Sequence, residues 1–169
     1  MADKSVLISI QPKWCELIAN EKKTVEVRKT KPKLETPFKV YIYETKGKKQ
    51  YFSQPLPIPY FEGMGKVIGE FVCDERKTAK LGNYCNISLT DACLDAYELM
   101  DYADDKPLYG WHISNLVIYD KPKELSEFEV ECKGGCDIPY LYNPPCANCR
   151  KNRLTKPPQS WCYVEEIKT

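Results

Sequence analysis

Residues 6–32 read VLISIQPKWCELIANEKKTVEVRKTKP, and the hydrophobic period changes twice along them. From Ser5 to Ile10 the chain alternates, with Val6, Ile8 and Ile10 on one face of a strand. Gln11 and Pro12 open a short helix, where proline is tolerated because the first-turn N–H has no intrahelical partner. Trp14, Leu17 and Ile18 then keep helical spacing, and Asn20 is a suitable helix-ending residue. From Thr24 to Thr30 the two-residue period returns. Val25 and Val27 point to one face, and Thr24, Glu26 and Arg28 to the other. A strand, a helix and a second strand thus bring Lys23 to a strand entrance and set Glu26 and Arg28 side by side.

Working outward, Phe38–Glu44 (FKVYIYE) and Lys66–Cys73 (KVIGEFVC) read as further strands, as do Trp111–Tyr119, ended by Pro122, and Ser160–Ile167. Gly69 hints at a bulge. A helix capped by Ser88 or Thr90 is expected to run to about Tyr102, with Cys93, Tyr97 and Met100 as its apolar stripe. Residues 45–63 are polar and proline-rich, which excludes a central strand and suggests a surface excursion. Six or so strands with two short helices give an α+β or closed-barrel reading, since a barrel removes the edges of short strands. No repeat or linker interrupts the 169 residues, so a single domain over 1–169 is expected.

The formal net charge is +1, so no global field draws the protein to nucleic acid or to a membrane. A local patch must supply any such site. Lys22, Lys23, Arg28, Lys29, Lys31 and Lys33 form a basic stretch, whereas Asp91–Asp105 is acidic. No apolar run is long enough to span a bilayer, and the N-terminus lacks a signal-peptide core, so a cytoplasmic protein without a membrane partner is expected. In that compartment nine cysteines argue for metal binding or buried thiols over disulfides.

Four of the nine are clustered. Cys132 and Cys136 are followed after nine residues by Cys146 and Cys149, and two close pairs on a short loop can fold back into a tetrahedron of thiolates. Gly134, Gly135, Pro144 and Pro145 supply turns. A structural zinc on a loop at 132–149 is the expectation; free cysteines in a flexible loop are the alternative. Cys15, Cys73, Cys85, Cys93 and Cys162 show no paired spacing and suit small buried apolar residues.

The run Glu21-Lys22-Lys23-Thr24-Val25-Glu26-Val27-Arg28 resembles the G-x-K-x-x-E-x-R signature of ASCH-domain proteins, with Glu21 or Lys22 in place of the glycine. Gly65–Glu70, then Trp111-His112-Ile113 with Tyr119 and Pro122, then Pro157–Val164 add to the likeness, which looks closest to ASCH proteins of bacteria and their phages. The resemblance implies a PUA-like mixed β-barrel with short flanking helices, here carrying a C-terminal Cys-rich loop. It also implies a cleft between barrel and helices and an RNA-related role. Some members resemble amidohydrolases of acylated cytidine, in which a lysine matching Lys23, a threonine at the position of Glu26 and a later glutamate carry the chemistry. Glu26 departs from that pattern, and Glu98 is one candidate for the later glutamate.

These residues define the candidate site. Lys23 and Glu26 are the candidates for chemistry, since a lysine beside apolar walls can act as base or nucleophile. Arg28 offers a fork for phosphate or carboxylate. Ser9, Gln11 and Trp14 lie at the turn before the helix, whose N-terminus favours anions and whose indole can stack a base. Trp111 and Gln159 complete the set. A solvated strand face with an ordinary ion pair, and a tryptophan in the core, are the plain alternatives. His112, the one histidine, suits a structural role. The leading expectation is a module that binds RNA or a modified nucleoside in a basic cleft. The alternatives are a small hydrolase, acting on acylated cytidine or as a ribonuclease, and a protein-interaction adaptor.

Overall fold

The computed structural model describes residues 4–47, 63–80, 86–130 and 153–167. The 132–149 loop with its four cysteines and most of the 45–63 excursion lie outside the described residues. The excursion is pinched at its base, where the Gly63 amide donates to the Lys46 carbonyl at 3.4 Å.

Among the described residues six strands and three short α-helices follow in the order β1 (Lys4–Ile10), α1 (Pro12–Ala19), β2 (Val25–Arg28), β3 (Phe38–Glu44), β4 (Lys66–Ala79), α2 (Leu89–Ala92), α3 (Ala96–Ala103), β5 (Leu108–Lys123) and β6 (Trp161–Glu165). They form one sheet in the spatial order β2-β5-β4-β3-β1-β6. β1 and β3 are parallel, with Val6 opposite Val40 and Ile8 opposite Ile42, and the other pairs are antiparallel. A parallel pair cannot be joined by a tight hairpin, and α1 with β2 supplies the crossover.

Both faces of the sheet are buried. One carries Val6, Ile8, Ile10, Val40, Ile42, Phe71 and Trp111, covered by Cys15 and Ile18 of α1. The other carries Leu7, Tyr41, Tyr43, Val67 and Val164 around Phe128. A third cluster, Val27, Ala79, Leu99, Ala103 and Leu108, seats α2 and α3. The alternation of β1 and β3 therefore sorts two apolar cores rather than core from solvent.

The expected barrel does not close. β2 and β6 are the two ends of the sheet order, and no ladder joins them among the described residues. Closure needs hydrogen-bond register to continue round the ring, and β2 is only four residues long. Side chains bridge the gap instead. Trp161 Nε1 donates to Thr30 Oγ1 at 2.9 Å, and the Lys33 amide donates to the Tyr163 hydroxyl at 2.7 Å.

Two further expectations are corrected. The helix expected from residue 88 to 102 is broken: Cys93 adopts φ 54°, ending α2, and Asp95 caps α3 in a reciprocal box with Glu98. The break changes the helical phase, so Leu99 and Ala103 are buried while Tyr97 and Met100 are 80% and 62% exposed. Pro122 does not end its strand, because β5 runs to Lys123. β2 covers β5 only from Tyr109 to His112, so the proline lies where that side of the strand is open and no ladder N–H is required.

Candidate binding site

β2 is paired so that Glu26 lies opposite Trp111 and Arg28 opposite Tyr109. Residues directly opposite share a face, so Glu26 and Arg28 point into the core that holds Trp111, while Val27 points to α2 and α3. Val27 is buried and Val25 is half-buried. The side chains of Lys23, Glu26 and Arg28 are only 3%, 7% and 11% exposed.

The three are tied together. Glu26 Oε1 is 2.9 Å from Arg28 Nη2, and Glu26 Oε2 is 3.5 Å from Lys23 Nζ. Lys23 Nζ also donates to the Ala92 carbonyl at 2.6 Å. Ala92 is the last residue of α2, whose terminal carbonyls have no intrahelical donor. The lysine thus caps one helix and holds β2 against it. Arg28 Nη2 donates to the Ser9 carbonyl at 2.7 Å, and Nη1 reaches Ser160 Oγ at 3.4 Å. Two cations on one carboxylate leave one positive charge in an almost enclosed place.

The turn into the cluster explains the signature. Glu21 has φ 56°, the left-handed conformation that suits glycine. It stands where the ASCH pattern has its glycine, three hydrogen bonds after the end of α1: the amides of Glu21, Lys22 and Lys23 donate to the carbonyls of Ile18, Leu17 and Leu17.

The half-buried Trp14 ring lies beside the cluster, with Lys23 Nζ 5.0 Å and Lys13 Nζ 4.4 Å from its centroid. Lys13 is exposed. Gln11 is exposed and makes no side-chain cap on α1. Ser9 Oγ donates to the Pro158 carbonyl at 2.6 Å. Ser9 and Gln159 line a separate open depression of about 880 Å³ with Tyr43, Lys46, Ser126 and Pro158. The sequence-derived set therefore divides into the buried cluster with Trp14, and the Ser9–Gln159 depression; Arg28 joins the two through the Ser9 carbonyl.

Trp111 does not serve as a stacking surface, because it is 0% exposed and packs edge-on against Phe38 and Trp161. Its β5 position puts it under the sheet, where ring area is worth most as core. Glu98, the candidate later glutamate, is occupied in the α3 capping box, where it accepts from the Asp95 amide. Tyr102 is a residue the linear reading missed. It lies in the field of Arg28 and Glu26, with its hydroxyl pKa raised chiefly by burial, and Lys29 Nζ sits 5.1 Å from its ring. More than seventy residues separate it from β2, and no spacing rule reaches that far. Cys15 is a buried thiol, as expected: it donates to the Ile10 carbonyl at 3.6 Å, and burial, then Glu44 and Glu26, push its pKa up. It is a poor nucleophile there. His112 pairs with Asp74 at 2.7 Å on the half-exposed β4–β5 surface. Among the described residues no group of three or more His, Cys, Asp or Glu could hold a metal ion, and no helix is long and apolar enough to cross a membrane.

Neither family models nor curated proteins match the chain. Solved structures do. A serine-to-alanine variant of the ASCH protein from Zymomonas mobilis superposes with a TM-score of 0.62 at 18% identity, over 98% of this chain and 92% of that one. The unmodified protein gives 0.56 at 17% identity over 96% and 88%, and a tyrosine-to-phenylalanine variant 0.55 at 18% over 73% and 77%. Likeness at this identity is a likeness of backbone: nearly the whole chain has the ASCH-domain fold.

Proposed function

We propose that this chain is a binding module that holds RNA or a modified nucleoside at the Lys23–Glu26–Arg28 cluster. The observation that carries the proposal is the surplus charge: two cations share one carboxylate in a place where water screens little. Such surplus is costly unless a ligand supplies the missing negative partner. Trp14 beside it, with an exposed lysine over the ring, offers a face on which a base can stack. The ASCH fold and the signature resemblance support an RNA-related ligand. Titration with short single-stranded RNA at several salt concentrations tests it. A contact to phosphates gives a log K against log salt slope of about −0.7 for each one neutralised. A flat slope with tight nucleoside binding marks a nucleoside site, and binding of neither defeats the reading.

The hydrolase reading has one observation in its favour, a buried lysine beside an indole and a carboxylate. Both oxygens of Glu26 are engaged by cations and Lys23 is held by the Ala92 carbonyl, which favours holding over proton transfer. Incubation with acylated nucleosides separates the two, since turnover would make the cluster an active site.

A structural zinc on Cys132, Cys136, Cys146 and Cys149 is the second part of the proposal, and its support is their spacing alone. Elemental analysis of protein purified without added metal or chelator is expected to give one zinc per chain. Far less zinc, with all thiols freely reactive in the native state, would remove it.

A further inference from the structure

Three buried side-chain atoms have no hydrogen-bond partner among the described residues: Ser5 Oγ, Arg28 Nε and Trp111 Nε1. Two of them belong together. Trp111 is opposite Glu26 and Arg28 opposite Tyr109, so arginine and tryptophan are diagonal neighbours on one face of the β2–β5 pair, within reach of each other. Both also touch the start of β6: Arg28 reaches Ser160, just before it, and Trp111 packs on Trp161, its first residue. Each carries an N–H, and neither N–H can accept. A buried donor left unsatisfied costs about 1–3 kcal/mol, and here two of them flank a cluster that already carries one uncompensated positive charge.

We infer that the group bound at this site is an oxyanion, the phosphate of a nucleotide, whose oxygens accept from Arg28 Nε–H and Trp111 Nε1–H. This rests on the reading of the cluster as a ligand site, and it narrows the ligand from a neutral nucleoside to a phosphorylated one. Charge and donor count agree. A phosphodiester brings the one negative charge that Glu26 leaves uncovered and acceptors only, which is what two bare donors require; a phosphate monoester brings acceptor oxygens and about −1.5 to −2 charges at neutral pH. The other groups nearby do not compete. Burial raises the Cys15 thiol pKa, so that group supplies no negative charge, and Glu44 is turned to the Met64 amide at 2.8 Å. A water molecule could satisfy the two donors but would leave the positive charge in place. Trp111, too enclosed to stack a base, thereby acts as a positioning donor from within the core.

The indole N–H region of a proton–nitrogen NMR spectrum reads this directly, because the chain has three tryptophans. Trp111→Phe assigns its resonance. Full-length protein is titrated with inorganic phosphate, cytidine monophosphate and cytidine. The expected result is a saturable shift of the Trp111 indole with the monophosphate and, more weakly, with phosphate, and none with cytidine. Arg28→Lys, which keeps the charge and removes Nε–H, is expected to lower monophosphate affinity about tenfold, the worth of one charge-assisted hydrogen bond, and to shrink the Trp111 indole shift with it. Arg28→Lys guards against a Trp111→Phe variant that fails to fold. If cytidine binds as tightly as its monophosphate and the Trp111 resonance stays still, the oxyanion inference falls while the cluster remains a ligand site. If phosphate, the monophosphate, cytidine and short RNA all leave every indole unmoved, the ligand site itself falls and this inference with it.

Discussion

The sheet carries a charged cluster on each face, and the two differ in balance. On the face toward α1, Lys23, Glu26 and Arg28 are nearly enclosed, with two cations to one carboxylate. On the opposite face Lys39 lies 3.3 Å from Glu70 and 2.9 Å from Glu166, with the three side chains 25%, 23% and 31% exposed. Tyr119 donates to Glu70, and the Tyr41 hydroxyl accepts from the Ile167 amide. The second cluster has the opposite surplus, two carboxylates to one cation, but it is partly solvated and none of its polar atoms is left bare among the described residues; it ties the segment after β6 back to β3 and β4. The Glu166 hydrogen bond, against a smaller opposing effect of burial, raises the Lys39 pKa. The comparison teaches that charge on a sheet does not by itself mark a site. The proposed site differs in that its surplus is enclosed and flanked by bare donors, so that binding there would remove a cost already present in the free protein.

The strongest way to break the comparison is Glu26→Gln. It leaves two buried cations with no carboxylate between them, and removing one partner of a buried network costs about 3–5 kcal/mol. Urea denaturation is expected to show that loss, and a change within the error of the measurement would mean the cluster is wetter than its burial indicates.

Lys23→Met comes next. It removes the surplus charge and leaves a neutral Glu26–Arg28 pair, at the cost of an unpaired Ala92 carbonyl, about 1–3 kcal/mol. Ligand affinity is expected to fall more sharply than stability. A variant that binds the monophosphate as the parent does would show that surplus charge is not what the site uses.

Lys39→Met tests the partly solvated cluster. A pair a quarter exposed is screened, so the expected change is at most about 1 kcal/mol, with ligand affinity unaltered. A larger loss, or a change in binding measured by the same titrations, would make the two faces alike.

The smallest effect belongs to the Asp74–His112 pair, the most exposed of the three. The His112 hydrogen bond, ahead of a weaker opposing desolvation, holds the Asp74 pKa below its ordinary 3.8. A depressed carboxylate pKa contributes stability above the unfolded value, and that contribution is lost as pH falls through the folded one. Thermal melting of Asp74→Asn is therefore expected to track the parent below that range and to lie slightly under it from about pH 4 upward. Identical curves throughout would show that the pair adds nothing.

What the linear sequence decides is local. The period of 2 in Val6–Ile10, Val25–Val27 and Phe38–Glu44 is visible because alternate residues meet different surroundings. The period of 3.6 from Trp14 to Ile18 is visible because one helix face is covered. The signature places Lys23, Glu26 and Arg28 within six residues, so their meeting needs only a turn and a strand. The start of α3 at Asp95 is not among these, because the helix expected from residue 88 to about 102 ran through it. The far ends of β4 and β5 escape such a reading, because several of their residues are solvated and leave no apolar alternation.

Tertiary structure alone decides what the cluster touches. The Ala92 carbonyl is a backbone atom that any residue type would supply, and Ser160 and Tyr102 arrive from more than seventy residues away, beyond the range of periodicity or spacing. The open edge between β2 and β6 is likewise set by how many backbone groups β2 can offer, a count of strand length and register. Whether Trp111 is a stacking face or a buried donor depends on the depth of its strand in the sheet. Burial is a property of everything packed around a residue, and no residue encodes that alone.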